Sequence, residues 1–275
     1  MSLGIAIKAP EGIVLAAESR VTLTSKQADG SLLPVYFDNA MKMWGLEAPN
    51  NHIGVVTWGL GAIGMRTAHS FQSEFEANLK SAGDERLTVE DVANKLSEFY
   101  MGQWQLAVAG QPNYAGPPMT FMIAGVDEGQ PYGRVFQIDI PFAPKPVEHQ
   151  KNANEFGITW GGQREIVDRL LNGFDHRLLE ILKKVAKMTD EEVGDLAKEF
   201  QPLQLQLPLA AMALQDCVDL ALFFVRTTIA GLALTVDLRG CGGHIDVATI
   251  TRREGFRYVQ RKKVVGERRE QGREP

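Results

Sequence analysis

Residues 2–20 read SLGIAIKAPEGIVLAAESR, and this stretch sets the fold that the rest of the chain is expected to adopt. Apolar side chains alternate over residues 3–7, and a second apolar run, residues 13–17, follows a Pro-Glu-Gly turn signal. The pattern predicts a β-hairpin whose first strand begins at the start of the sequence.

Ser2 is the residue of this hairpin with the greatest chemical potential. Removal of Met1, which a small second residue generally permits, would leave Ser2 with a hydroxyl and an unblocked α-amine. A nucleophile and a base of near-neutral pKa would then share one Cα. An inert residue at the start of a strand is the alternative interpretation.

Composition excludes several classes of protein. The chain has 275 residues, of which 44% are hydrophobic and 23% charged, so a packed core is expected and global disorder is not. A formal net charge of -5 gives no basic field for a nucleic acid. Basic residues concentrate only in residues 261–273, where glutamates accompany them, so a solvated terminus is favoured over a binding arm.

No cofactor, metal or membrane span is expected. Cys217 and Cys241 cannot form a disulfide framework, and the histidines are scattered, without the spacing of a zinc site. The longest apolar segment, residues 205–234, is interrupted by charges and predicts a buried helix. Without a signal peptide, a cytoplasmic location is expected.

The remaining chain alternates strand and helix patterns. Residues 41–46 predict a short strand, and the proline-containing stretch 141–153 predicts an exposed loop. Strands are further predicted at residues 52–61, 119–126, 134–140, 155–163 and 242–252, and helices at residues 63–79, 87–107, 164–188, 189–208 in part, and 209–234.

Both ends of the chain resemble proteasome-type N-terminal nucleophile hydrolases. Catalytic β subunits of that family begin with Thr and continue through a G-I-K-x-x-D/E-G turn to V-V-L-A-A-D-S-R. Here residues 6–12 read AIKAPEG and residues 13–20 read IVLAAESR, without a gap. Residues 242–252, GGHIDVATITR, resemble the family's G-G-x-I-D-V-A-x-I-T-R strand.

This resemblance implies an α+β fold with four layers, α-β-β-α, and the order of the predicted elements agrees with it. It implies a single domain over residues 1–262 that carries an inserted segment at about 189–208. Residues 263–275 would be a polar, charged tail.

The resemblance also implies a catalytic set. Ser2 falls on the nucleophilic Thr, Glu18 on the acidic residue and Lys42 on the family's lysine, which the pattern Lys-apolar-x-x-apolar marks. Gly59 takes the position whose N–H faces the oxyanion. Because the implied role of Lys42 is electrostatic, its replacement by alanine is expected to leave the fold intact. The alternative role of the Glu18 carboxylate is a salt bridge with Arg20 or another neighbour.

Four positions depart from the family pattern. Trp58 stands beside Gly59, and Gly161 occupies the place of a serine that supports the nucleophile's amine. Asp237, a candidate catalytic carboxylate, lies one residue further from the following glycines than the pattern requires. Cys241 replaces a serine and is interpreted as a small buried residue.

The resemblance also implies a substrate pocket, because the positions that line the pocket in the family can be matched to residues of this chain. Trp44 would narrow a medium, uncharged pocket that accepts small or medium apolar residues before the scissile bond. The implied wall residues are Val21, Thr22, Ala40, Trp44, Thr57, Gly61 and Met65.

The favoured function is a proteasome-like peptidase subunit that hydrolyses peptides or unfolded proteins inside a homo-oligomeric ring, with an ATPase or other proteasome-like subunits as further partners. A non-catalytic structural homologue, comparable with proteasome α subunits, is one alternative. The helix that precedes the first strand in α subunits is absent here, which favours the β type. An amidase of the same fold that acts on small amides is the other alternative.

Overall fold

A computed structural model describes residues 2–81, 85–108, 114–236 and 238–266. Its strands are β1 (Leu3–Ala9), β2 (Gly12–Glu18), β3 (Val21–Lys26), β4 (Leu32–Phe37), β5 (Met43–Gly45), β6 (Ile53–Gly59), β7 (Ala62–Ile63), β8 (Arg66–Thr67), β9 (Met119–Gly125), β10 (Arg134–Ile140), β11 (Ala143–His149), β12 (Gly157–Gly162), β13 (Ile245–Thr251) and β14 (Gly255–Gln260). Its α-helices are α1 (Gln72–Ser81), α2 (Val89–Ala107), α3 (Glu165–Asn172), α4 (Arg177–Ala186), α5 (Asp190–Glu199) and α6 (Leu214–Ala233).

The predicted hairpin forms the centre of the first sheet. β1 and β2 pair antiparallel, and the sheet has the order β12-β1-β2-β13-β14. Every residue of β1 and β2 is buried, because both faces of these strands are covered. One face packs against α3 and α6 through a cluster that includes Leu3, Val167 and Phe224.

The second sheet has the order β11-β10-β9-β6-β5. Its outer face packs against α1 and α2 through a cluster that includes Phe75, Tyr100 and Phe121. Thr88 caps the start of α2 and exchanges hydrogen bonds with Asp91.

The inner faces of the two sheets pack against each other. Ile13 and Leu15 of the first sheet share a buried cluster with Val56 and Met122 of the second. The chain therefore has an α+β fold with two stacked five-stranded sheets and helices on their outer faces. This stacking brings the start of β1 close to the start of β5, where the candidate site lies.

Three of the predicted helices have different limits in the structure, and one of these, α6, begins at Leu214, five residues after the predicted start at residue 209. Residues 63–67 are not helical: β7 and β8 make a tight two-stranded turn, in which Gly64 has φ +58°, and the helical segment begins after Thr67. The helix predicted for residues 164–188 is broken into α3 and α4, because Gly173 adopts a left-handed φ of +80° that ends α3.

The loop predicted for residues 141–153 is wrong in its central part. Residues 143–149 form β11, which pairs with β10 at the edge of the second sheet. Pro144 and Pro146 lack an N–H, and an edge strand tolerates this because only one side of it must pair. The edge strand of the first sheet, β14, was not predicted from the sequence.

The polar stretch after β2 forms a separate hairpin, in which β3 pairs only with β4. Gly30 has φ +85° and permits the turn between these strands. Among the helices that the structure describes, none is both long enough and apolar enough to cross a lipid bilayer.

Candidate functional site

The two ends of the predicted hairpin and the segment before β5 meet at one point. Ser2 directly precedes β1 and Glu18 ends β2, so the antiparallel register places them side by side. Lys42 directly precedes β5 of the other sheet, and its carbonyl accepts a hydrogen bond of 2.8 Å from Thr57 N. The stacking of the two sheets thus places the Lys42 side chain beside Ser2.

Lys42 connects the three side chains. Its Nζ donates to Ser2 Oγ at 2.7 Å, to Glu18 Oε1 at 2.5 Å, and to the carbonyl oxygen of Arg20. Ser2, Glu18 and Lys42 are 5%, 1% and 6% exposed, so water screens these interactions poorly. The structure therefore brings together the serine, carboxylate and lysine that the sequence singled out.

Glu18 is held rigidly by main-chain donors. Its Oε2 accepts from Arg20 N at 2.6 Å and from Gly242 N at 3.1 Å, and its Oε1 accepts from Leu3 N at 3.4 Å. These bonds fix the carboxylate in the orientation that meets Lys42. The Glu18 side chain does not pair with the Arg20 guanidinium.

Arg20 instead pairs with Asp38, a residue that the sequence analysis missed. The guanidinium donates to both carboxylate oxygens of Asp38, at 2.6 and 2.7 Å. This pair holds the pKa of Asp38 below its usual range. Because Arg20 precedes β3 and Asp38 follows β4, the pair closes the base of the β3–β4 hairpin beside the carbonyl that Lys42 contacts. The only sequence signal was an acidic residue shortly before Lys42.

Gly59 ends β6 with φ +86°, and a Cβ at this position would lie 2.1 Å from the carbonyl oxygen of Pro118. Only glycine fits there. Successive N–H groups of a strand point to opposite edges, so the N–H groups of Thr57 and Gly59 point to the same edge of β6. The N–H of Thr57 donates to Lys42 O, which identifies this edge as the one that faces β5. That is the edge from which Lys42 reaches Ser2.

Trp58 explains the glycine at position 161. Gly4 and Gly161 are cross-strand partners, and a Cβ on either would lie 2.4 or 2.5 Å from the indole of Trp58. The indole covers both glycines between the two sheets. A serine at position 161 therefore has no room while Trp58 is present, so these departures from the family pattern are physically linked.

This link gives a prediction about stability. Gly161→Ser is expected to destabilise the fold by about 1–3 kcal/mol, the typical cost of overpacking a core. The double variant Trp58→Val, Gly161→Ser is expected to cost less than the sum of the two single changes, because each relieves the other. Chemical denaturation of all four proteins measures the coupling, and additive losses would contradict the contact.

The implied pocket residues differ widely in their exposure to solvent. Trp44 is 2% exposed and packs edge-on against Phe121 in the core, whereas Met65 is 99% exposed on the β7–β8 turn. Thr57 is buried and donates to Thr120 O at 2.9 Å. Ala40 and Thr22 are half-buried. Gly61 lies beside Val21, since a Cβ built on Gly61 would be 3.8 Å from Val21 Cγ1.

The C-terminal part of the proposed set is described only partly. Asp237 lies outside the described residues. Cys241 is 2% exposed, and burial raises the pKa of its thiol, as fits a small packing residue. Within the described ranges, no group of three or more His, Cys, Asp or Glu side chains is arranged to hold a metal ion.

Comparison with known proteins gives a structural likeness. No protein-family model and no curated protein matches the chain. Among solved structures, a mutant of Anbu from Hyphomicrobium sp. strain MC1 is similar, with a TM-score of 0.53 and 14% identity over 94% of this chain and 87% of that one. Anbu is a bacterial proteasome-like subunit. At this identity the likeness concerns the fold alone, which is proteasome-like.

Proposed function

We propose that this chain is a proteasome-like peptidase subunit with the four-layer α-β-β-α architecture, in which Ser2 is the nucleophile once its α-amine is unblocked. The observation that carries the proposal is the buried contact of 2.7 Å between Lys42 Nζ and Ser2 Oγ, with Glu18 holding the same ammonium at 2.5 Å. One of the three N–H donors of the Lys42 ammonium is thus directed at the hydroxyl that the proposed reaction uses.

The proposed chemistry has two acyl-transfer steps. Ser2 Oγ attacks the peptide carbonyl and its proton passes to the Ser2 α-amine, while the Lys42 ammonium stabilises the developing alkoxide. The N–H of Gly59 donates to the oxyanion of the tetrahedral intermediate. The protonated α-amine then gives its proton to the leaving amine, and water hydrolyses the resulting ester to regenerate the hydroxyl.

The main chain of Ser2 is positioned without the family's serine. Gln163, which directly follows β12, donates its N–H to Ser2 O at 2.7 Å. This bond fixes the main chain of Ser2 from the side of β12. In this proposal the α-amine is oriented by the main-chain anchor of Ser2, and Trp58 takes the volume of the missing serine. Asp237 stays a candidate partner of the amine.

Assembly into a homo-oligomeric ring is part of the proposal. No residue of α4 or α5 is buried in the described chain, and α4 exposes the apolar side chains of Ile181 and Val185. Helix α5 lies within the inserted segment at about 189–208 and α4 directly precedes that segment, and both helices would pack against a neighbouring copy. Native mass spectrometry showing only monomers at micromolar concentration would contradict the ring.

A non-catalytic structural subunit is the second candidate. Ser2 is 5% exposed with Met1 still attached, and Gly161 removes the amine's supporting hydroxyl. Both features fit a protein that keeps the fold and has lost the reaction. In that case Lys42, Ser2 and Glu18 would form a buried polar network that stabilises the junction of the two sheets.

Turnover of a fluorogenic peptide panel separates the two candidates. The proposal expects hydrolysis after small or medium apolar residues by protein that lacks Met1, and none by the matched Ser2→Ala variant. Equal turnover by both proteins would assign the activity to a contaminant. Absence of turnover in a folded protein whose N-terminal residue is Ser2 would favour the structural subunit.

A further inference from the structure

Three acceptors determine the direction in which the Lys42 ammonium points. Its N–H donors are directed at Ser2 Oγ, at Glu18 Oε1 and at the carbonyl oxygen of Arg20. Because the three N–H bonds of an ammonium diverge at fixed angles, the acceptors at Glu18 and Arg20 set the direction of the bond to Ser2. Whatever fixes these two acceptors therefore aligns Lys42 with the hydroxyl.

Asp38 holds the Arg20 side chain across the base of the β3–β4 hairpin. Its two carboxylate oxygens accept from the guanidinium at 2.6 and 2.7 Å. Such two-point pairing fixes the plane of a guanidinium as well as its position. A main-chain bond lies close by, because Ala40 N donates to Ser19 O at 2.9 Å. The segment that leads to Lys42 is thus fastened to the residue whose carbonyl Lys42 contacts.

The Arg20–Asp38 pair also packs directly against Gly242 and Gly243. A Cβ built on Gly242 would lie 2.3 Å from Arg20 Cζ, and one built on Gly243 would lie 2.5 Å from Asp38 O. Neither position has room for a side chain while the pair is in place. The N–H of Gly242 donates to Glu18 Oε2 at 3.1 Å. The pair therefore supports the turn that holds Glu18 as well as the carbonyl of Arg20.

Asp38 is charged at neutral pH. The hydrogen bond from Arg20, and then the charges of Arg20 and Lys42, hold the pKa of Asp38 below its usual range. The ion pair is therefore intact under the conditions in which a peptidase would work. Its influence on Lys42 passes through Arg20, since the Asp38 carboxylate binds the guanidinium and the Arg20 carbonyl meets the ammonium.

We propose that Asp38 is a positioning residue for the reaction of Ser2, which aligns the Lys42 ammonium with Ser2 Oγ through its ion pair with Arg20. This inference rests on the proposed function and adds to it a residue that acts without touching the reacting atoms. Without the carboxylate, the Arg20 guanidinium loses its two-point partner, and both acceptors that direct Lys42 lose support. A misplacement of about 1 Å at a reacting group can lower a rate by about 10²-fold.

Steady-state kinetics with a fluorogenic peptide give the first test. Asp38→Ala is expected to lower kcat by about 10- to 100-fold and to keep KM within about twofold, because alignment in the transition state is lost and substrate binding is not. Asp38→Asn retains the shape and one acceptor for Arg20, so its loss of kcat is expected to be smaller. Arg20→Ala keeps the main-chain carbonyl, and adding Asp38→Ala to it is expected to lower kcat no further.

Glu148→Ala is the matched control. Glu148 accepts two hydrogen bonds from the Arg134 guanidinium, at 2.7 and 2.9 Å, and both side chains are partly exposed, as in the Arg20–Asp38 pair. The charge of Glu148 acts on Lys8, at the opposite end of β1 from Ser2. Its removal is expected to lower the melting temperature and to leave kcat unchanged.

Crystal structures of the same variants give a second test that needs no turnover. The separation of Lys42 Nζ and Ser2 Oγ is expected to exceed about 3.5 Å in Asp38→Ala, beyond hydrogen-bond distance, and to stay unchanged in Glu148→Ala. An unchanged separation in Asp38→Ala, an unchanged kcat, or an equal loss of kcat in the control would overturn the proposal. So would independent losses of kcat from Arg20→Ala and Asp38→Ala, because Asp38 would then act by another route.

Failure of the proposed function would appear differently. The unsubstituted protein would then show no turnover, although its chain begins at Ser2 and is folded. In that case the structures alone decide whether Asp38 aligns Lys42 with Ser2, and an unchanged separation in both Asp38→Ala and Asp38→Asn would overturn the inference.

Discussion

Replacement of Lys42 by alanine is expected to lower kcat/KM for peptide hydrolysis by about 10²- to 10³-fold or more, the loss typical for removing one donor to a developing oxyanion. The ammonium of Lys42 lies within hydrogen-bond distance of Ser2 Oγ, at 2.7 Å. Without it the alkoxide forms in a buried site that lacks a compensating charge. Steady-state kinetics with a fluorogenic peptide measure the effect.

Lys8 provides the matched control. It is also buried, at 2% exposure, but lies at the other end of β1, where its Nζ donates to the carbonyls of Gln150 and Asn152. Lys8→Ala is expected to lower stability and to leave the turnover of the folded fraction unchanged. Unchanged turnover in folded Lys42→Ala protein would remove Lys42 from the mechanism.

The structure revises the expectation that Lys42→Ala leaves the fold undisturbed. Lys42 is 6% exposed and pairs with a Glu18 side chain that is fully buried. Its removal leaves the carboxylate with three main-chain N–H donors but without a counter-charge, so a lower melting temperature is expected. Activity is therefore compared at a temperature where each variant remains folded.

Glu18→Ala is expected to cause the largest loss of stability of any change at the site, about 3–5 kcal/mol in the free energy of unfolding. The substitution leaves the Lys42 ammonium and the N–H groups of Leu3, Arg20 and Gly242 without their acceptor. Each buried donor without a partner costs free energy, and the unpaired charge costs most.

Glu18→Gln separates charge from hydrogen bonding. It has the same shape and keeps one acceptor oxygen, so its loss of stability is expected to be smaller than that of Glu18→Ala. Urea denaturation of both variants measures the difference. Equal stabilities for the two variants and the unsubstituted protein would show that the network contributes little to the fold.

Local patterns predicted the centre of the fold well. The β1–β2 hairpin follows from two local signals, the alternating apolar residues and the Pro10-Glu11-Gly12 turn. Both signals agree with the buried strand pair that forms. The meeting of Ser2, Glu18 and Lys42 was expected from the family resemblance. The spacing of residues in the sequence does not predict that Lys42, which precedes a strand of the second sheet, contacts Ser2 of the first sheet.

Features that depend on tertiary packing were not predictable in this way. Trp58 and Gly161 lie about a hundred residues apart in sequence, and their contact exists only where the two sheets stack. Prolines in β11 suggested a loop because an edge position cannot be identified from sequence alone. An acidic residue shortly before Lys42 was too weak a signal to identify Asp38, whose pairing with Arg20 depends on the β3–β4 hairpin.

The central claim is that Ser2 is an N-terminal nucleophile. Intact mass spectrometry before and after treatment with a β-lactone and with a peptide epoxyketone tests it most directly, since the epoxyketone needs both the hydroxyl and the α-amine of one residue. We expect a chain that begins at Ser2 and one covalent adduct of each reagent on Ser2, absent from the Ser2→Ala variant. Retention of Met1, or a folded protein beginning at Ser2 that neither reagent labels while Ser2→Thr also stays unlabelled, would contradict it.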